Sequence, residues 1–467
     1  MDYNPNFFTH IAMFGILFVS IHLFGKYPTR SAVIMILVGG WIFLPQAVYY
    51  IHLIPYRTKT NAISMALLLG LLLKKPQGFL KFRFSWVDLP IICLCLSPIA
   101  SSISNGLGAY DGAQFAQFQI VDYGVPYVIG RSFFGSFESL KELAVGMFVG
   151  ALILAPLVVI ELAVSPQMHT WVYGWYPHDF SQTARDGGFR PSVFMSHGLE
   201  LAIWNAAAAF VGCQMYLRGT LRGAVPLLKI PMLPSVLGLS LLLVVSHSTG
   251  AFFLFGTALV VTEISVRLKS VVPLLILAIF PILYIDLRST GAWDGQSLID
   301  ASSKLTGGDE SRTASLSFRI HNETLLAAKA REQFIFGWGR YQRSFVFDKD
   351  GNPITVPDGQ WIVLLGEGGL FDLVAMNCIY LVPAILLFLK LPGKRLGGSL
   401  ETPAVAFAIF FCITMIDNLF NSMSNPVLIV ASGGILSLVL SPSAMKGLEA
   451  GAPRVSILQA KVATRVI

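Results

Sequence analysis

Apolar residues in this chain come in runs of around twenty, again and again, and a chain patterned this way has few ways to fold. Hydrophobic residues make up 54% of its 467 positions and charged residues only 13%, about half the charged fraction of a typical soluble domain, roughly 25%. Runs of that length span a bilayer as helices. The alternative, an outer-membrane barrel, shows a weaker pattern of alternating segments of about ten residues. Candidate spans fall at roughly 7–24, 31–54, 60–73, 86–103, 113–129, 140–164, 196–217, 232–246, 250–266, 271–286, 361–389, 404–421 and 426–440. The run 60–73 is short for a full crossing. The expectation is therefore an all-α polytopic membrane protein of about 12–13 transmembrane helices, with one large extracytoplasmic loop containing a helix and a short hairpin.

Lysine and arginine cluster in short connections beside the spans, and their bias sets the orientation. Lys74, Lys75, Lys81 and Arg83 mark one cytoplasmic loop; Arg218, Arg222 and Lys229, then Arg267 and Lys269, then Lys390, Lys394 and Arg395 mark others. Alternation places 104–112, 165–195 and 287–360 on the outer face. The segment PYRTKT (55–60) also falls outside, with two basic residues that run against the bias. The net charge of +7 reflects these loops; no basic patch interleaved with aromatics points to nucleic acid. The five cysteines all lie in apolar runs and match no zinc or disulfide pattern, so they read as small buried hydrophobes. The start, MDYNPNFF, lacks a basic stretch before the first apolar run, which reads as a retained span.

One long polar segment interrupts the apolar pattern. It divides the chain into 1–286 (transmembrane), 287–360 (extracytoplasmic loop), 361–440 (transmembrane) and 441–467 (cytoplasmic tail). The loop carries about a third of all the charged residues. A soluble segment this long between spans is a candidate working site. Residues 315–332 predict an amphipathic helix, with Ser315 and Ser317 as candidate caps and Arg319, Asn322 and Glu323 on one face. GWG (337–339) reads as a turn, and 344–356 as a hairpin about an Asp-Gly turn. Asp348, Asp350 and Asn352 have calcium-loop spacing, but the glycine and the closing glutamate are misplaced, so a turn is the better reading.

The arginines carry more information. Arg190, Arg312, Arg319, Arg340 and Arg343 lie on the expected outer face, where topology disfavours them. Arginine is the side chain best suited to bidentate phosphate binding. The plainer alternative is loop salt bridges, Arg319 with Glu323 and Arg331 with loop acids. His197, His247 and His321 show no metal-site spacing, and for each the ordinary reading is a polar residue satisfied at a helix end. No serine elbow or phosphate loop is present.

Three stretches together resemble the O-antigen ligase and O-antigen polymerase superfamily of bacterial envelope glycan assembly. They are GGFRPSVFMSHGLELAIW (187–204), SHSTGAFFLFGTALV (246–260), and SFRIHNETLLAAKAREQFIFGWGRY with DGQWIVLLGEGGLFDLV (317–374). The resemblance implies a multi-pass glycosyltransferase of the bacterial inner membrane. It would transfer or polymerise a glycan from undecaprenyl diphosphate to a glycan or lipid acceptor, with no metal and no cofactor. A sugar hydroxyl attacks the anomeric carbon, the diphosphate leaves, and cationic side chains stabilise the charge that develops. Implied diphosphate ligands are Arg190, Arg319, Arg340 and His197. Where the ligases carry a histidine this chain has Asp358, so Asp358, Arg319 and His321 are the implied catalytic residues, with Glu367 a further candidate base. The competing expectations are a lipid-linked glycan flippase or other transporter, and a non-catalytic assembly subunit.

Overall fold

The computed structural model describes residues 5–49, 51, 55–185, 187–305 and 310–442. The expected cytoplasmic tail, apart from its first two residues, and the side chain of Arg312 lie outside this set. The described chain is mostly helical. Among the described residues six helices are long and apolar enough to cross a membrane: Phe7–Lys26, Trp86–Ser104, Phe137–Val164, Thr249–Leu268, Val272–Thr290 and Gln360–Lys390. Shorter apolar helices pack with them. Thr402–Asp417 and Pro426–Leu440 are buried on almost every face, as a helix apolar all round should be. Large apolar side chains such as Phe18, Leu241, Phe253 and Ile276 stand exposed on the outside of the bundle, which suits a lipid solvent.

Local sequence sets where the helices begin. Asn6 caps Phe7–Lys26 by accepting from Thr9 N, and Thr58 with Asn61 forms a reciprocal capping box on Lys59–Lys74. The helix Val125–Phe133 lies so close to Pro426–Leu440 that a Cβ on Gly130 would overlap the Val430 carbonyl. Small residues at such crossings let backbones approach in a membrane.

The bundle has two unlike ends. At one, short connections carry basic residues held by local partners: Arg218 and Arg267 on Glu263, Arg395 on Glu401, and Lys390 Nζ on the Val439 carbonyl. There Arg131 and Asp88 also form a buried pair, through Nε to Oδ1 at 2.8 Å and Nη2 to Oδ2 at 3.0 Å. At the other end long segments interlock. Glu161 is fully buried and accepts from three backbone N–H groups, those of Met168, Ser192 and Val193, which ties residues 165–195 onto their span.

The long loop contains two helices, Gln296–Leu305 and Glu310–Arg331. The first is absent from the sequence-based expectation. The second starts five residues earlier than predicted, so Ser315 and Ser317 lie within it rather than at its cap. Leu326, Ala327 and Ala330 of this helix share an apolar cluster with Tyr284, Ile285, Trp361 and Ile362, so it is docked on the bundle. The hairpin is short: Ile354 N donates to Val346 O and Asp348 N to Asn352 O, each at 2.9 Å, with Gly351 at φ +83°. Asp348 Oδ1 accepts from the N–H groups of Asp350 and Asn352, the bonding of a turn.

Candidate functional site

The helix Gln360–Lys390 is broken in the middle. Gly369 has φ +68° and ψ −162°, a conformation open to glycine alone. A break inside an apolar bundle leaves main-chain groups that must find partners. The strap 334–339 supplies them. Trp338 N and Gly339 N donate to the carbonyls of Gly366 and Glu367 at 2.8 and 2.9 Å, and Leu370 N and Phe371 N donate to those of Phe334 and Ile335 at 2.7 and 3.2 Å. Ser101 Oγ also donates to the Glu367 carbonyl at 3.0 Å. Backbones meet so closely that a Cβ on Gly337 would lie 2.5 Å from Glu367 main-chain atoms. Thus the two glycine-rich stretches GWG and GEGG form one joint between the loop and the membrane helix.

Beyond the joint the strap turns through Gly339, Arg340, Tyr341 and Gln342. Tyr341 and Gln342 both adopt left-handed backbone, at φ +64° and +61°, at a cost of about 1–2 kcal/mol each for residues with a Cβ. The edge of Phe115 against Tyr341, with centroids 5.2 Å apart, helps to hold the turn. It aims Arg340 into a cavity of about 560 Å³, within the range of small-molecule sites, roughly 300–1,000 Å³.

Four charged side chains line that cavity: Arg57, Asp122, Arg340 and Glu367. Arg340 Nη1 lies 3.2 Å from Glu367 Oε2, and its guanidinium sits over the Phe115 ring at 5.4 Å. Asp122 stands on a π-turn, Ile120–Gly124, that interrupts an otherwise α-helical rod; its Oδ1 accepts from Asn61 Nδ2 at 2.6 Å. Such turns insert one residue and redirect a side chain, often at functional sites. Arg57 lies over Phe118 at 5.7 Å. Gln119, Gln342 and Gln360 add amide groups to the wall. The chemistry available is exchange: an incoming anion competes with Glu367 for Arg340, and binding it frees a carboxylate beside it.

The residues singled out from sequence fall in several places. Arg340 and Glu367 line the cavity; Arg190, His197, Arg319, His321 and Asp358 do not. Arg319 Nε lies 3.5 Å from Asp358 Oδ2, just before the helix that begins at Gln360. Burial pushes the Asp358 carboxyl above its usual range, against the pull of Arg319. His321, two residues beyond Arg319, is exposed. Arg190 donates through Nε and Nη2 to the His247 carbonyl at 3.2 and 3.0 Å, which joins the first and second resembling stretches. His197 is the N-cap of Gly198–Leu217, accepting from Leu199 N at 3.0 Å, with the His178 ring 4.4 Å away.

The loop salt bridges differ from the sequence expectation. Glu323 turns away from Arg319 and is buried against Arg288 and Tyr284, at 3.2 and 2.9 Å. Burial raises its carboxyl, while Tyr284 and Arg288 oppose the shift. Arg331 meets no loop acid in this way; it donates to the Ser289 carbonyl at 3.1 Å. Sequence reasoning also missed Arg57 and Asp122 as site residues. The signals were a basic residue on the side where the charge bias disfavours it, and an acid inside an apolar run. Among the described residues no three His, Cys, Asp or Glu side chains cluster as metal ligands. No protein-family model matches the chain, and no curated protein matches it.

Proposed function

We propose that the protein is an integral membrane glycosyltransferase of the O-antigen ligase or polymerase kind. It acts on undecaprenyl-diphosphate-linked glycan at the outer face of the bacterial inner membrane. The observation that carries this reading is the polar cavity at the loop end of the bundle, where Arg340 and Arg57 share a wall with Glu367 and Asp122. The motif resemblance supplies the substrate class. Lysine and arginine asymmetry supplies the orientation, with the cavity outside and 12–13 spans in all. On that orientation Arg57 and Lys59 are both accounted for: Arg57 lines the cavity, and Lys59 is buried with Nζ on the Phe194 carbonyl at 2.9 Å.

In the proposed reaction the diphosphate sits against Arg340 and Arg57, whose fixed charge stabilises the leaving group. Displaced from Arg340, Glu367 takes the proton of the acceptor hydroxyl as that oxygen attacks the anomeric carbon. Glu367 takes this role ahead of Asp358 because it lines the cavity. The pair Arg319–Asp358 stands at the loop-to-helix junction as a candidate acceptor-side contact. The deciding experiment is the lipid-linked glycan pool of a deletion strain. Single repeats accumulating outside indicate a lost polymerase, and long chains on the lipid carrier a lost ligase.

The broken helix also favours a second reading, a transporter of the lipid-linked glycan, since discontinuous helices and acids inside a bundle are transporter features. It predicts accumulation on the cytoplasmic side and no transfer product from purified protein.

A further inference from the structure

Behind the Arg340–Glu367 pair lies a second, much smaller chamber of about 20 Å³, room for a single water. Glu367 and Arg340 line both spaces. The far wall carries Asp372, Ser101, Arg343 and, toward the surface, half-buried Asp111. Asp372 is only 3% exposed; the Ser97 side chain lies within hydrogen-bonding reach of its carboxyl, but Oδ1 is buried without a hydrogen bond. Its Oδ2 folds over Gly368, where any Cβ would collide with it. A buried carboxylate oxygen left unsatisfied is costly and calls for a partner. Five residues beyond Glu367, across the helix break, Asp372 would face the opposite way from Glu367 in a straight helix; the break brings both to one chamber.

We infer that this chamber is a proton exit, in which Glu367 passes the acceptor's proton through one water to Asp372 and on to Asp111. The inference rests on the proposed glycosyl transfer. As the acceptor oxygen bonds to the anomeric carbon, the C–O bond to the diphosphate breaks and its electron pair leaves with the phosphate. The hydroxyl proton goes to Glu367. The base must be emptied before the next turnover, and the cavity side is then filled by product. The chamber offers a back route, with Asp372 and Asp111 both on its wall. The titratable and charged groups facing Asp372 are Glu367 on its own helix, Cys95 beside Ser97 on the helix Trp86–Ser104, Tyr123 on the π-turn, Asp111, and Arg340 and Arg343 on the strap.

The test uses the full-length protein in lipid nanodiscs, with two readouts. In a transfer assay from lipid-diphosphate glycan, Asp372→Asn should slow turnover by about 10²-fold, toward the lower end for loss of a proton-transfer group, with the donor KM unchanged. Asp372→Glu should keep part of the rate, and the pH–rate profile of Asp372→Asn should differ from that of the wild type. An unchanged rate and pH profile, or a loss as complete in Asp372→Glu as in Asp372→Asn, overturns the relay. The second readout is independent of transfer: an infrared carboxylic C=O band lost in Asp372→Asn should shift in frequency or in titration in Glu367→Gln. A band that persists unchanged in either variant overturns the shared proton path. Should the wild type transfer no glycan, the functional reading falls, and the band alone decides whether the carboxyls share a proton.

Discussion

Two arginine–carboxylate pairs sit at opposite ends of the helical bundle, built from the same chemistry and placed differently. Arg131 and Asp88 are 7% and 1% exposed, bonded through two oxygens, with Tyr127 Oη donating to the same carboxylate at 2.6 Å. Arg340 and Glu367 are 35% and 24% exposed, joined by one 3.2 Å contact, and open on a cavity. A sealed pair with every lone pair engaged can only hold helices together. An open pair with bonding capacity to spare can change partners. Burial and saturation, more than residue type, separate a brace from a working site.

The largest expected effect falls on the sealed pair. Removing one member of a buried ion pair strands the other charge, at about 3–5 kcal/mol. Arg131→Ala should therefore collapse protein yield and thermal stability in detergent. A variant that keeps wild-type stability would mean that Asp88 finds another partner, and the contrast with Arg340 would fail.

Arg340→Ala should do the reverse. It strands Glu367 beside solvent, where the stability cost is small, and on the proposed reaction it removes a charge-assisted contact to the leaving diphosphate. The expected loss is about 10²–10³-fold in transfer rate, or about 2.7–4 kcal/mol, at near-normal protein level. Arg340→Lys should recover only part, because an ammonium cannot reproduce the planar fork. Wild-type glycan output from Arg340→Ala would reduce the open pair to a second brace.

The strap that aims Arg340 gives a finer test. Gln342 holds left-handed backbone at φ +61° and lines the cavity. Gln342→Gly should relieve strain and raise stability by about 1 kcal/mol, while transfer falls because the turn loosens and an amide is lost from the wall. Stability measured by chemical or thermal unfolding, set beside transfer rate, reads both. A stability loss instead would show that the turn is held by its side chain rather than strained against it.

The six long apolar helices were legible because length and apolarity decide them locally. So was the loop helix, whose apolar residues recur at helical spacing, although its start was misplaced by five residues. Gln296–Leu305 carries few apolar residues and gave no comparable signal. The joint was hidden for a different reason. GWG reads as a turn and GEGG as an ordinary helix start, and each reading is locally sound; their pairing is a set of main-chain bonds between segments some thirty residues apart, and main-chain bonding leaves no mark in side-chain pattern. Asp122 was visible as an acid inside an apolar run, but the π-turn that points it inward has no compositional signature. Arg57 showed only as a breach of the charge bias.

A third pair, Arg319–Asp358, lies between the two extremes and offers the smallest and sharpest test. Its members are 31% and 34% exposed, and the 3.5 Å contact is long, so as an ion pair it should contribute under about 1 kcal/mol. Burial dominates at Asp358 and raises its carboxyl in the folded protein. The folded state then binds the proton more readily than the unfolded chain. By linkage, stability from this group is fully present below the unfolded value, about 3.9, and declines as pH rises through the raised folded value. Asp358→Asn removes that titration. It should flatten the pH dependence of unfolding just above pH about 4 and leave neutral-pH stability equal or slightly higher. Asparagine keeps the turn before Gln360, so structure is preserved and activity becomes the discriminating readout. With Glu367 as the base, Asp358→Asn should lower transfer no more than a few-fold, through the acceptor side. A loss as large as that of Arg340→Ala, with no loss in Glu367→Gln, would move the base to the loop-to-helix junction and leave the cavity as the place where the diphosphate alone is held.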